Sequence, residues 1–182
     1  MKKFLLFSLF LFFISCSQKE KPQQQVQNQL SPEVFTLAKI ENPTHPDKAP
    51  NFSWKTPDGE VNLHEVLKNK VILINFWATW CGPCIKEIPD LIKIQNELGR
   101  DNFEIIGVSI DKSFSAVVEF AKNAGINYTL IHDPESKLLE AFGGSIGIPT
   151  TYLIHKDGKI VNKYVGARTK EVFVSDISKI LK

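Results

Sequence analysis

Cysteine is scarce in this chain, and the other side chains that bind metals are spread thinly. The 182 residues include 3 cysteines and 4 histidines. A small secreted domain held together by disulfides needs several cysteine pairs, so this class of scaffold is excluded. The histidines lie far apart, without the spacing of zinc ligands: His45, His64, His132 and His155. We therefore expect neither a metal ion nor another cofactor.

Neither sign of charge dominates, and there is no long apolar run. Lys and Arg number 22 against 20 Asp and Glu, which gives a formal net charge of +2. Loss of Lys2 and Lys3 with a leader would make the chain neutral, so no basic surface indicates nucleic-acid binding. The apolar run over residues 4–14 is too short to span a bilayer.

The first residues have the layout of a secretory signal. Lys2 and Lys3 precede the apolar run, and Phe-Ile-Ser-Cys at residues 13–16 resembles a bacterial lipobox, with Phe13 where Leu is usual. We expect a signal peptide over residues 1–15 and lipidation of Cys16, which would anchor the chain without spanning the membrane. Cleavage after Ser17 and a single membrane anchor are the alternatives.

The composition divides the rest of the chain in two. Residues 17–48 are rich in Gln, Asn, Pro and Lys, and a segment of this kind buries too little apolar surface to fold. We expect a flexible tether here, with a short helix or strand over residues 34–40 left undecided. Residues 49–182 have a globular pattern and predict one domain.

The apolar periodicity of that domain predicts alternating strands and helices. Strands are expected at 51–54, 60–63, 71–78, 103–110, 128–131, 150–155 and 159–165, and helices at 82–98, 113–124, 135–142 and 169–181. The strand–helix–strand unit from 71 to 110 predicts a parallel pair, and the last hairpin adds antiparallel strands. The prediction is an α/β fold with a mixed central sheet flanked by helices. Residues 79–84 lie where a strand end meets a helix start, the usual place for chemistry in such sheets.

The remaining two cysteines form a Cys-Gly-Pro-Cys motif at this junction. Cys81 would begin the helix, where unpaired amide groups and the helix dipole favour a thiolate. Cys84 lies close enough to close a disulfide, so Cys81 is the expected attacking sulfur and Cys84 the shielded resolving one. Half a zinc site and a permanent local disulfide are the alternatives, while haem attachment would need His where Ile85 stands.

Several motifs together identify a family. The segment Phe-Trp-Ala-Thr-Trp-Cys-Gly-Pro-Cys at 76–84 is similar to the thioredoxin active-site segment, and Pro89 matches the proline in its active-site helix. Gly-Ile-Pro-Thr at 147–150 resembles the cis-proline loop. The chain resembles the TlpA/ResA/CcmG-like extracytoplasmic branch in its leader, in an extra N-terminal hairpin within residues 49–66, and in an insertion around residues 111–142. The resemblance implies a thioredoxin-like fold.

The resemblance also implies roles for residues around the cysteines. Asn75 stands where thioredoxin has a buried acid, and Glu87 stands where this branch has an active-site acid. Glu87 would take the proton of Cys84, and the alternative is a solvated acid at a helix N-terminus. A cis Ile148–Pro149 bond is implied beside the cysteines, with Ile148 and Pro149 contacting the substrate backbone. Trp80 is expected to be partly exposed and to contact substrate as well.

The function implied is thiol–disulfide exchange at the outer face of a membrane. Gly-Pro between the cysteines is the pair of reducing thioredoxin, so we expect a reductase of protein disulfides, with apocytochrome c as one possible client. A membrane electron donor of CcdA or DsbD type is implied, and a monomer is expected. One alternative is a thiol peroxidase of peroxiredoxin type, but Ala78 occupies the position where that family has Thr. The other alternative is a non-catalytic binding module.

Overall fold

The computed structural model describes residues 33–181, which form one sheet of eight strands and five helices. The expected signal peptide over residues 1–15 and the lipidation expected at Cys16 lie outside the described residues. The strands are β1 Val34–Glu41, β2 Asn51–Thr56, β3 Gly59–Asn62, β4 Val71–Trp77, β5 Phe103–Ser109, β6 Thr129–His132, β7 Thr150–Ile154 and β8 Ile160–Val165. The helices are α1 Leu63–Leu67, α2 Gly82–Leu98, α3 Phe114–Ala124, α4 Lys137–Ala141 and α5 Lys170–Ile180.

The sheet is mixed, as predicted, and its strand order is β3-β2-β1-β6-β5-β4-β7-β8. Strands β1, β6, β5 and β4 run parallel, and antiparallel strands extend the sheet on either side. The predicted β2–β3 hairpin is confirmed, and the insertion around residues 111–142 contributes α3, β6 and α4. Strand β4 lies between β5 and β7, so its C-terminal end lies in the interior of the sheet and not at an edge.

Apolar side chains cover both faces of the sheet. Leu73 and Trp77 of β4 belong to one core and Ile74 and Phe76 to the other, as the alternation along a strand requires. Helices α2, α3 and α5 pack into the first core, and helices α1 and α4 pack into the second. The predicted helices on both faces are therefore confirmed.

The N-terminal boundary of the domain differs from the prediction. Residues 34–41, placed in the tether that was expected over residues 17–48, form strand β1, which pairs with β2 on one side and β6 on the other. Backbone pairing on two sides stabilises this strand, and its partly buried apolar side chains pack against the two cores. A composition argument does not detect these contacts with distant segments. The domain therefore includes β1, and it does not begin at residue 49. Helix α1 was not predicted either, because it has only 5 residues.

Helix α2 carries the cysteine motif and begins and ends as predicted. Cys81 is its N-cap, and Pro83 lies in its first turn, where a missing N–H costs nothing. Gly99 ends it with φ of 66°, and its N–H donates to the Gln95 carbonyl. Within residues 33–181, no helix combines the length and apolar character needed to cross a membrane.

Gly107 in β5 occupies a position with no room for a side chain. A Cβ there would lie 2.7 Å from Leu130 Cδ2, 3.1 Å from Tyr128 Cε2 and 3.2 Å from Trp77 Nε1. These three side chains are buried in the core that also contains both cysteines of the motif. Absence of a Cβ at Gly107 therefore lets these three side chains pack closely against β5.

We predict that Gly107→Ala destabilises the fold by about 1–3 kcal/mol, because the added methyl overpacks a rigid core. Urea unfolding of the disulfide form measures the loss. Gly82→Ala is the matched control, since a Cβ at Gly82 meets no atom within 4 Å. Equal unfolding midpoints for the two variants would contradict the prediction.

Candidate active site

The two cysteines of the motif form a disulfide at the junction of β4 and α2. The Cα atoms of Cys81 and Cys84 lie 5.2 Å apart, and the Cys84 N–H donates to Cys81 Sγ across 3.3 Å. Both residues are largely covered, with 6% of Cys81 and 1% of Cys84 exposed. The more exposed cysteine is thus the one at the helix start, where amide groups and the helix dipole favour a thiolate.

The loop before β7 lies against Cys81. The Ile148–Pro149 peptide bond is cis, as the resemblance implies, and the Ile148 carbonyl oxygen lies 3.6 Å from Cys81 Sγ. Trp80 next to the disulfide is 69% exposed, and Ile146 in the same loop is also exposed. The structure thus brings Trp80, Ile148 and Pro149 together with Cys81, and places apolar surface beside Cys81 Sγ.

Glu87 lies one turn after Cys84 on the inner face of α2. It is only 2% exposed, so the alternative of a solvated acid is wrong. Glu87 Oε1 accepts from the Arg168 backbone N–H at 2.7 Å, and Oε2 accepts from Asn75 Nδ2 at 2.9 Å. Burial raises the pKa of Glu87 to about 7, although both hydrogen bonds favour the ionised form. A carboxyl with this pKa exchanges protons readily at neutral pH.

Asn75 connects the acid to the neighbouring strand. Its Nδ2 donates to Thr151 Oγ1 at 2.8 Å as well as to Glu87. Thr151 is the β7 residue that pairs with Asn75 in the sheet. Asn75 is therefore a buried, hydrogen-bonded amide that fixes the Glu87 carboxyl in position.

Two residues at this site were not identified from the sequence. Thr151 follows Pro149 by two positions, and its place beside Asn75 depends on the β4–β7 register. Arg168 donates its backbone N–H to Glu87, and its positive charge lowers the Glu87 pKa, but the two residues are 81 positions apart in the chain. Across residues 33–181, no three His, Cys, Asp or Glu side chains lie grouped as a metal ion would require. The site contains the Cys81–Cys84 disulfide and the buried carboxyl of Glu87.

Comparison with known proteins agrees with this geometry. The Redoxin family pattern matches residues 45–181. The thiol-disulfide oxidoreductase ResA of Bacillus cereus (strain ZK / E33L) is 35% identical over 134 residues, which cover 73% of this chain and 76% of that protein. ResA of Bacillus subtilis (strain 168) is 34% identical over 134 residues, which cover 74% of this chain and 74% of that protein.

Solved structures show the same fold. A thiol:disulfide interchange protein of the thioredoxin family from Chlorobium tepidum TLS superposes with a TM-score of 0.67 and 33% identity. The match covers 77% of this chain and 99% of that one. The thioredoxin-like fold implied by the cysteine and proline motifs is confirmed, and this chain belongs to the Redoxin family, next to the ResA-like thiol–disulfide oxidoreductases.

Proposed function

We propose that the protein is a thiol–disulfide oxidoreductase that reduces disulfides of other proteins through Cys81 and Cys84. The observation that carries this proposal is the disulfide at the start of α2, with a buried acid of raised pKa one turn further along the helix. A structural disulfide needs no such acid. The ResA proteins, which this chain resembles over most of its domain, are named for this activity.

The reaction proceeds in two exchanges. The Cys81 thiolate attacks one sulfur of a client disulfide, and the other client sulfur leaves as a thiolate that takes a proton from water. Glu87 then accepts the Cys84 proton, and the Cys84 thiolate attacks Cys81 Sγ. The second client sulfur leaves, so two electrons pass to the client and the Cys81–Cys84 disulfide forms. Trp80, Ile148 and Pro149 would contact the client chain beside its reacting sulfur.

The leader and the resemblance to the ResA-like branch support a proposed location and proposed partners. A signal peptide over residues 1–15 and a lipid on Cys16 would hold the domain outside the cytoplasm at a membrane surface. There, a reductase must be reduced again, and a membrane protein of CcdA or DsbD type would supply the electrons. Apocytochrome c, whose haem-binding cysteines must be reduced, is the client we propose. The domain would act as a monomer.

We predict that Cys81→Ser abolishes disulfide reduction, because it removes the attacking thiolate. Cys84→Ser should instead accumulate mixed disulfides through Cys81, because the second exchange is blocked. Turnover of a protein disulfide with an external reductant, followed by mass spectrometry without reduction, measures both effects. Wild-type turnover in either variant would contradict the assignment of these cysteines.

We predict a reduction potential for the Cys81–Cys84 pair close to the roughly −270 mV of thioredoxin, because Gly82 and Pro83 are the intervening residues of that reductant. Equilibration of the protein with glutathione or dithiothreitol buffers gives the value. A potential near about −120 mV, typical of a strong oxidant, would reverse the proposed direction of electron flow.

We predict that Glu87→Gln slows resolution of the mixed disulfide about a hundredfold above pH 7, because Cys84 loses its proton acceptor. In the wild type the rate should fall as pH drops through about 7, where burial leaves Glu87 protonated, and the variant should lack this inflection. Stopped-flow measurement of resolution across pH 5–9 tests both effects. Glu119→Gln, an exposed acid on α3, is the control. Loss of the inflection in the control, or its retention in Glu87→Gln, would contradict the role.

A further inference from the structure

A second buried polar cluster lies beside the active site and plays no part in the exchange chemistry described above. It consists of Thr79, Ser109, Asp111 and His132, at the C-terminal ends of β4, β5 and β6. Asp111 is only 4% exposed, although carboxylates are rarely buried without a specific set of donors. The partners of its hydrogen bonds indicate the role of this carboxylate.

The Asp111 carboxylate holds Thr79 by two bonds. Its Oδ2 accepts from the Thr79 backbone N–H at 3.0 Å, and its Oδ1 accepts from Thr79 Oγ1 at 2.6 Å. One residue is thus bound through both its backbone and its side chain to a single carboxylate. Thr79 lies two positions before Cys81, in the short turn between β4 and α2.

Asp111 is itself fixed from the other side. Ser109 Oγ donates to Asp111 Oδ2 at 2.8 Å and accepts from the Asp111 N–H at 3.2 Å. His132 Nε2 lies 2.8 Å from the Asp111 carbonyl oxygen, which can only accept, so Nε2 donates. Asp111 therefore cannot move without breaking bonds to both β5 and β6.

The turn that carries Cys81 depends on this anchor. The Ile110 N–H donates to the Trp77 carbonyl at 3.0 Å, and the Cys81 N–H donates to the Ala78 carbonyl at 3.1 Å. Between these two backbone bonds, Thr79 is bound to the Asp111 carboxylate by its backbone N–H and its hydroxyl. The position of Cys81 Sγ against the Cys84 N–H follows from where this turn is held.

We propose that Asp111 is a positioning residue, which holds Cys81 at the N-terminus of α2 through Thr79 so that the amide groups there stabilise the thiolate. The proposal rests on the assignment of Cys81 as the attacking sulfur and goes beyond it. Reactivity of a nucleophile depends steeply on placement, because a shift of about 1 Å can cost a hundredfold in rate. Without Asp111 the turn is free to shift, and the thiolate loses its donors at the helix start.

The test measures the rate at which iodoacetamide alkylates Cys81 in the reduced protein at pH 7, with the modified site identified by peptide mass. Asp111→Ala, which removes every bond to Thr79, should slow alkylation at least about tenfold. Thr79→Val removes only the hydroxyl bond and should slow it roughly threefold, in line with the loss of one hydrogen bond. Thr79→Ser keeps the hydroxyl and should restore the wild-type rate.

Asp133→Ala is the matched control for Asp111→Ala. Asp133 is 2% exposed in the same region, but its carboxylate accepts from the N–H groups of Lys137 and Leu138 at the start of α4. We expect this variant to lose stability in urea while keeping the wild-type alkylation rate. If Asp111→Ala does not fold, the Thr79 pair still tests the proposal.

Two results would overturn the proposal. One is a wild-type alkylation rate in Thr79→Val, and in Asp111→Ala where that variant folds; the other is equal slowing in Asp133→Ala. Disulfide reduction by the wild-type protein is measured in parallel. If the wild type reduces disulfides but the variants are alkylated at the wild-type rate, the role of Asp111 is contradicted and the proposed function is not. Absence of activity in the wild type contradicts the proposed function, while the alkylation rates still report on the position of Cys81.

Discussion

The burial of β4 on both faces is the constraint on which the active site depends. All seven residues of this strand are buried, because β5 and β7 flank it and apolar side chains pack above and below. A shift of register by one residue would move every β4 side chain to the opposite core and break the bonds of Asn75 to Glu87 and Thr151. The end of β4 is therefore a fixed point, and the turn that follows places Cys81 at the start of α2. The reacting groups lie on regular elements rather than on a long loop, which keeps their geometry precise.

Much of the fold could be predicted from the sequence because most of its elements have strong local signals. The run Val71–Trp77 is apolar throughout, and helices α2 and α3 end at glycines in positive-φ conformations. Strand β1 has no such signal, because its stability comes from pairing with β2 and β6 and from partly buried side chains that pack against the two cores. Pairing of that kind depends on distant segments, so the composition of residues 34–41 resembles that of a linker.

The active site likewise contains residues that sequence motifs predict and residues that only the fold brings together. Cys81, Cys84 and Pro149 belong to short motifs that indicate their chemistry from the sequence alone. Thr151 reaches Asn75 through the register of two strands 76 residues apart in the chain, and Arg168 contributes a backbone group. Asp111 likewise meets Thr79 only because β4 and β5 are parallel neighbours. Contacts set by strand pairing leave no local sequence pattern. The sequence therefore predicts the reacting sulfurs but not the residues that position them.

The pairing of Asn75 with Glu87 explains why an amide replaces the acid that thioredoxin carries at the matching position. Asn75 Nδ2 lies 2.9 Å from the Glu87 carboxylate, so an acid at position 75 would put two carboxyl groups in contact inside the core. Two such groups cannot both ionise, and the titration of one would depend on the other. An amide instead has two N–H hydrogens, which serve Glu87 and Thr151 together. The site then holds one titratable carboxyl, which burial tunes to about neutral pH and which lies on the same helix as the sulfur it would serve.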